Sequence, residues 1–435
     1  MYLNKLLMGA LCIIVLAGAA TAEAKSDQEK LIEQLLKNQA EQAEQIKALQ
    51  QQLNTMQQGQ AEIKQEQATI KEEQTSLSDS ATTFQKAAAW AERVNIHGDL
   101  RYRHEYFNVE GAKDRNRQRI RARVGLTAKL TDTVDLGFQL ATGSMDPVST
   151  NQTLSGAFSS KDVWVDLAYF DWHPTGAPGL NVIGGKMENP FYVAAKTELL
   201  WDSDLRPEGM ALTYKRDFDR GSLFANAGGF WVTERGGDSD TYMLGAQFGG
   251  SIEFCETSKF TGAIGLYDYD DVEGRTPVFG GDFFGNRSRF MNIADATTPL
   301  VFNENFTQVE AIGELAFKLR EVPVKVFGNY VKNTAADSDY DEGWLAGFEI
   351  GSSDPRHWKF KYNYRDLERD AVFGTFSDSD FIGGGTDGKG HEVGIGYQVN
   401  KRVAVGASYF NNDAMMSTRN PIDFERVMLD VKFKF

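Results

Sequence analysis

The chain has 435 residues and a formal net charge of -15, with 61 Asp and Glu residues against 46 Lys and Arg residues. Nucleic-acid binding requires a concentrated basic surface, so this balance argues against nucleic acid as a partner. The 42 Gly residues, against 10 Pro, and the 12% aromatic content favour many strands joined by tight turns over a helical membrane protein.

The N-terminus carries the pattern of a secretory signal peptide. An apolar run from Leu6 to Ala20 follows Lys5 and ends among small residues. We therefore predict a signal peptide at residues 1–22 and export from the cytoplasm. Its removal would leave Cys255 as the sole cysteine, so no intramolecular disulfide is expected.

A coiled coil is predicted at residues 26–80. One heptad register holds from Ile32 to Leu77, and the flanking positions are mostly Gln, Glu, Lys and Ala, which are strong helix formers. A narrow apolar stripe of this length favours self-association over a solitary amphipathic helix, and the Gln residues at core positions lead us to expect a trimer. The rod would be roughly 70 Å long. The Ser, Asp and Thr residues at 76–83 predict a hinge, and a linker is predicted at residues 81–93.

From Val94 onwards the hydrophobic period changes to two. Short turns alternate with long connections at 145–160, 188–206, 272–302 and 371–388, which is typical of a transmembrane barrel because closure leaves no unpaired backbone in lipid. We predict an all-β transmembrane barrel of about 16 antiparallel strands over residues 94–435, preceded by the α-helical coiled coil. The strands are expected to begin near Val94, Arg115, Thr133, Lys161, Leu180, Pro207, Gly221, Asp240, Ser258, Asn303, Val322, Glu342, His357, Lys389, Arg402 and Asp423.

The second strand indicates which face meets water. Arginines occupy every other position from Arg115 to Arg123. Each would cost about 2–4 kcal/mol on the lipid face, which is large beside a typical domain stability of about 5–15 kcal/mol. We predict that they line an aqueous lumen; the alternative is a basic surface strand of a soluble protein. A similar split places Val163, Val165, Leu167 and Tyr169 opposite Asp162 and Asp166. The predicted basic lining is Arg101, Arg103, Arg115, Arg117, Arg119, Arg121, Arg123, Lys129, Lys359, Lys361 and Arg365.

Several segments together resemble the putative porin family of Gram-negative bacteria. They are the signal peptide, the Gln/Glu-rich coiled coil, the barrel start at 94–103 and the segment 184–191. The final strand, 427–435, is apolar on one face, charged on the other and aromatic at its end, which is typical of outer-membrane barrels. The resemblance implies a homotrimeric diffusion channel in outer-membrane lipid, with the coiled coil in the periplasm. Phosphate-selective porins are similar in outline and also favour a basic lumen.

The connection 188–206 is predicted to fold inward and narrow the channel. Asn189 and Pro190 should turn the chain, while Leu199, Leu200 and Trp201 offer an apolar anchor against the inner wall. Carboxylates would then face the arginines and create a transverse field, although they could equally be solvated loop charges. The candidate acidic residues are Asp162, Asp166, Glu188, Asp202 and Asp204. The glycine-rich segment 383–390 is expected to be a mobile surface loop.

The predicted function is an outer-membrane porin that passes small hydrophilic solutes and ions by passive diffusion, with a bias towards anions. The alternatives are a phosphate-selective or other anion-selective porin, and a tether in which the coiled coil contacts the cell wall while the barrel serves as anchor. No serine nucleophile is paired with a histidine, and the five histidines lack zinc spacing, so no enzyme, cofactor or metal is expected.

Overall fold

The computed structural model describes residues 22–435, so the predicted signal peptide at 1–22 lies outside the described residues except for Ala22. The contacts divide the chain into a helical unit that ends at Ala89 and a second unit from Trp90 to Phe435.

The helical unit is dominated by one helix, α1 (Ala22–Ala91). Its predicted core positions are exposed within a single chain: Leu35 is 59% exposed, Leu49 63% and Ile63 56%. The expected hinge at 76–83 is wrong, because the helix runs through this segment. The hydroxyl of Thr82 donates to the Ser78 carbonyl, four residues earlier, so the side chain bonds within the helix rather than interrupting it. The described part of the chain contains no helix that is long and apolar enough to span a membrane.

The second unit is a closed antiparallel barrel of 16 strands, which confirms the predicted fold. Each strand pairs with the next around the barrel, and β1 pairs with β19 to close it. The largest difference from the expected starts is at β13, expected near Asn303 and observed from Phe306. The barrel strands are β1 (Val94–Val109), β2 (Arg115–Lys129), β3 (Val134–Thr142), β5 (Val163–Trp172), β6 (Leu180–Lys186), β7 (Glu208–Phe218), β8 (Gly221–Thr233), β9 (Thr241–Cys255), β10 (Ser258–Asp270), β13 (Phe306–Leu319), β14 (Val322–Asn333), β15 (Glu342–Gly351), β16 (Trp358–Leu367), β17 (Gly388–Gln398), β18 (Val403–Ala414) and β19 (Ile422–Lys434). Three short strands lie in the connections: β4 (Gln152–Thr153), β11 (Ser288–Phe290) and β12 (Leu300–Phe302).

The expected faces of β5 are partly wrong because of a β-bulge. Gln139 pairs with Leu167, whereas Leu140 pairs with Val165, so Asp166 is the extra residue. A one-residue shift exchanges the two faces of a strand. Val165 is therefore 49% exposed on the outer face, whereas Leu167, two positions later, is 6% exposed inside the barrel.

Apolar side chains from three long loops meet inside the barrel, in a cluster that includes Phe191, Trp201, Tyr267, Phe302 and Phe373. The ring of Tyr267 lies 4.9 Å from that of Phe191 and 5.1 Å from that of Trp201. Loops 187–207, 271–305 and 368–387 thus fill part of a lumen that 16 strands would otherwise leave open.

The prediction of a mobile surface loop at 383–390 is wrong, because most of this segment belongs to a loop that is packed inside the barrel. Loop 368–387 is largely buried, with Val372 and Phe373 both 1% exposed. Gly385 lies in the left-handed region at φ +92, and its backbone is so close to the Phe284 carbonyl that a Cβ would not fit. Its glycines therefore allow tight packing.

Candidate channel constriction

The cationic side chains of β1 and β2 face each other inside the barrel. The register places Arg101 opposite Arg121 and Arg103 opposite Arg119. Like charges directly opposite each other destabilise a strand pair. The arginine wall, formed by these side chains of β1 and β2, therefore needs carboxylates as counterions.

Carboxylates on β1 and β19 supply some of that charge. Asp99 accepts from Arg123 at 2.7 Å and lies 2.9 Å from an Arg121 nitrogen. Glu105, which is fully buried, pairs with Arg426 at 2.7 Å. Glu105 also pairs with Arg117, and Asp430 pairs with Arg103 at 2.8 Å.

Loop 187–207 brings a further carboxylate onto the same wall. The loop turns where Asn189 Oδ1 accepts from the Phe191 amide at 3.0 Å, and the predicted anchor of Leu199, Leu200 and Trp201 is buried. Asp204 then lies 3.5 Å from both Arg121 and Arg123, and its Oδ2 accepts from the Thr150 hydroxyl at 2.9 Å. Asp204 thus contacts the arginines directly and does not lie across a gap from them.

Loop 368–387 completes the constriction. The sequence pattern did not predict a role for this loop. Asp380 lies 3.1 Å from Arg103 and 2.8 Å from Arg426. Asp378 pairs with Arg365 on β16 at 2.9 Å. The Ser379 amide donates to Asp202 Oδ2 at 2.9 Å, so this loop and loop 187–207 hold each other in place.

The loop carboxyls fall into two electrostatic groups. Burial opposes ionisation of Asp380, but Arg426 and Arg103 outweigh it and lower its pKa; Arg121 and Arg123 likewise lower the pKa of Asp204. Burial, with Asp378 nearby, raises the pKa of Glu198 to about 8. Burial and the Glu198 charge raise the pKa of Asp202 well above its usual value. Glu198 is therefore mostly protonated at neutral pH.

Other predicted residues lie away from this cluster. Arg115, Lys129, Asp162 and Glu188 are exposed, and none of the four forms an ion pair in the part of the chain that the structure describes. Asp166, in the β5 bulge, accepts from Gln139 at 2.5 Å. Lys359 pairs with Glu349 at 2.7 Å and Lys361 with Glu392 at 3.5 Å, on the opposite side of β19.

Arg426 lies in the lumen and was not among the predicted residues. Extending the alternating pattern of the last strand towards its N-terminal end would have identified it. It lies four positions before Asp430 and so shares its face under a period of two. Asp380 carried no comparable signal, because its partners Arg103 and Arg426 lie 277 and 46 residues away.

Two cavities share lining residues with the constriction. One of about 440 Å³, near the long loops, is lined by residues that include Ser149, Asp204 and Arg206. The other, of about 290 Å³ and near the short turns, is lined by residues that include Lys361, Glu392 and Lys432.

The chain is similar to several solved structures of outer-membrane proteins. A high-pH structure of OprB from Pseudomonas putida superposes with a TM-score of 0.54 at 8% identity, over 81% of this chain and 96% of OprB. OmpF of Salmonella typhi in complex with daunomycin matches with a TM-score of 0.49 at 12% identity, over 79% of this chain and 97% of that one. The trimer form of OmpT from Vibrio cholerae matches with a TM-score of 0.46 at 13% identity, over 79% of this chain and 99% of that one.

No curated protein matches the sequence. The sequence model of one family, described as "Putative porin", matches residues 106–303 and 292–435, which together cover most of the barrel. The chain belongs to this putative porin family and is an outer-membrane channel for passive diffusion.

Proposed function

We propose that this channel passes small hydrophilic solutes with a bias towards anions. The observation that carries the proposal is the charge excess on the wall formed by β1, β2 and β19. Eight cationic side chains there meet five carboxylates, which leaves three positive charges unmatched. The cations are Arg101, Arg103, Arg117, Arg119, Arg121, Arg123, Arg426 and Lys432, and the carboxylates are Asp99, Glu105, Asp204, Asp380 and Asp430.

The opposite side of the constriction strengthens this bias at neutral pH. Glu198 and Asp202 would attract cations if both were ionised. Because burial raises the pKa of both, and that of Glu198 to about 8, much of this negative charge is absent near pH 7. A charged ring then favours the solute of opposite sign.

The test is the reversal potential of the purified protein in a planar bilayer with a salt gradient. We expect ohmic steps with an anion-biased reversal, and a smaller bias in the double variant Arg119→Ala, Arg121→Ala. A control that removes two charges, Lys401→Ala with Arg402→Ala in an exposed short turn, should leave the bias unchanged. No steps from folded protein would refute the open channel, and an unchanged bias in the arginine variant would refute its role in selectivity.

We further propose a homotrimer, as the family resemblance implies, with the coiled coil of α1 in the periplasm. A polar group on the outer face supports a subunit contact there. Tyr102 donates to Gln118 Oε1 at 2.8 Å, and Gln118 Nε2 lies 2.5 Å from His104 Nδ1. Polar side chains that face lipid have a free-energy cost, and this cost is smaller where another subunit covers them. Native mass spectrometry tests the trimer, and a sole monomer peak would refute it.

The tether remains the second candidate, and the exposed apolar stripe of α1 favours a role in association. Deleting residues 26–83 separates the two roles. We expect conductance to persist, and a loosened envelope in cells would add tethering to the function.

A further inference from the structure

Two guanidinium groups of the arginine wall converge on one uncharged residue. Arg101 donates to the side-chain Oδ1 of Asn151, and Arg119 donates to the main-chain carbonyl of Asn151 at 3.1 Å. Arg119 also donates to Ser149 Oγ at 3.2 Å. Arg101 is 6% exposed and Asn151 8% exposed, so both are shielded from bulk water.

These two cations lack the counterions that their neighbours have. Within the described residues, Arg101 forms no ion pair, and Arg119 has only Glu105 at 3.9 Å, which is shared with Arg117 and Arg426. The buried Nε atoms of Arg101 and Arg119 also have no hydrogen-bond partner among the described residues. A buried charged donor left unpaired is costly, so the site favours an acceptor that brings negative charge.

The charges around Arg101 and Arg119 also favour binding of an anion. The strand register places Lys432 and Arg121 beside Arg101, and Arg103 beside Arg119. The nearby carboxylates are engaged elsewhere, Asp430 and Asp380 with Arg103 and Asp204 with Arg121.

We propose that Arg101 and Arg119, with Ser149 and Asn151 at the edge, form a binding station for a small oxyanion, either phosphate or a carboxylate. This deepens the proposed anion bias and rests on it for its role in transport. The planar fork of a guanidinium matches two oxygens of one oxyanion, which chloride cannot offer. The Ser149 hydroxyl and the amide of Asn151, which donates to Ser149 Oγ at 3.3 Å, provide further donors.

Residues of the station or next to it line both cavities. Ser149 lines the cavity near the long loops, and Lys432, the register partner of Arg101, lines the cavity near the short turns. Each cavity therefore has a lining residue that belongs to the station or pairs with it.

The test is titration calorimetry of the full-length folded protein in detergent, with inorganic phosphate and with acetate as separate probes. Asn151→Asp places a carboxylate of almost identical shape on the Arg101 guanidinium, next to Arg119, and should compete with the probe from within. We expect binding to be at least about tenfold weaker in Asn151→Asp and in Arg119→Gln, since one charge-assisted hydrogen bond corresponds to about this factor or more. The matched controls are Asn189→Asp, whose cap to Phe191 is retained, and Arg115→Gln on the exposed part of β2; both should bind as the wild type does.

The two probes identify the oxyanion by their relative affinities. Binding of neither, or affinities unchanged in Asn151→Asp and Arg119→Gln, would overturn the station. Because calorimetry needs no current, its result is separate from the reversal potential. The wild type could bind phosphate, and lose that binding in Asn151→Asp, while the channel shows no anion bias. This result would support the station and refute the proposed selectivity.

Discussion

Asp380→Asn tests whether ion pairs hold loop 368–387 inside the barrel. Asp380 lies 3.1 Å from Arg103 and 2.8 Å from Arg426, and these arginine side chains are 6% and 1% exposed. The amide keeps the shape and one acceptor oxygen but removes the charge. Arg103 keeps Asp430 and Arg426 keeps Glu105, so neither arginine is left without a carboxylate.

The magnitude follows from the two charged contacts that are weakened. A hydrogen bond to a charged group contributes about 1.5–3 kcal/mol, and because both arginines keep another partner we expect a total loss of about 3 kcal/mol for the docked loop. A change of about 3 kcal/mol corresponds to roughly a hundredfold increase in the undocked population. The wall also gains one net positive charge. We therefore expect larger or more frequently fluctuating conductance and a stronger anion bias.

Single-channel recording and hydrogen exchange of the amides of loop 368–387 together test this reasoning. The loop amides should exchange faster in Asp380→Asn, while those of the barrel strands should keep wild-type rates. Asp339→Asn, on an exposed connection, removes the same charge without touching the arginines and serves as control. Wild-type conductance, reversal potential and loop protection in Asp380→Asn would refute the view that its ion pairs dock the loop.

Two further predictions concern pH and α1. Burial raises the pKa of Glu198 from 4.5 to about 8, so its contribution to loop docking is fully present below about pH 4.5 and is lost as the pH rises through about 8. The anion bias should fall over the same rise because a negative charge appears in the constriction. Glu198→Gln should reduce this pH dependence, since only Asp202 of the two carboxyls then remains, and an unchanged dependence would assign it to another group. In α1, Leu49→Lys should dissociate the rods of the intact protein, seen as lower mass or loss of cross-links between helices, whereas Gln51→Lys on the polar side should not. Equal association in both variants would contradict the coiled coil.

The strands of this barrel were predictable because their signal is local. Alternation of apolar and polar residues is set by the pleat, and it requires no knowledge of the partner strand. Thus β2, with an arginine at every other position, already indicates a polar face. The bulge at Asp166 has no such signal, since it arises from pairing with β3. One inserted residue was enough to move Leu167 to the inner face.

The composition of the constriction was less predictable because its counterions come from distant segments. The arginines of β2 lie close together in sequence, whereas Asp430 and Asp380 lie 327 and 277 residues from Arg103. The apolar residues Leu199, Leu200 and Trp201 predict that the connection 188–206 folds inward, and all three are buried. The glycines of segment 383–390 predict a mobile surface loop because glycine suggests flexibility, whereas in the folded barrel Gly385, Gly388 and Gly390 permit close packing.

The carboxylate partners divide the arginines of β1 and β2 between two roles. A row of free guanidinium groups would repel itself, and the strand pair of β1 and β2 would be weakened by it. Asp99, Asp204 and Asp380 remove most of that repulsion, two of them from loops that the arginines in turn hold inside the barrel. Stability and selectivity therefore depend on different members of one series. The paired arginines fix the loops, whereas Arg101 and Arg119, which carry the least compensated charge, are the ones left to act on a passing anion.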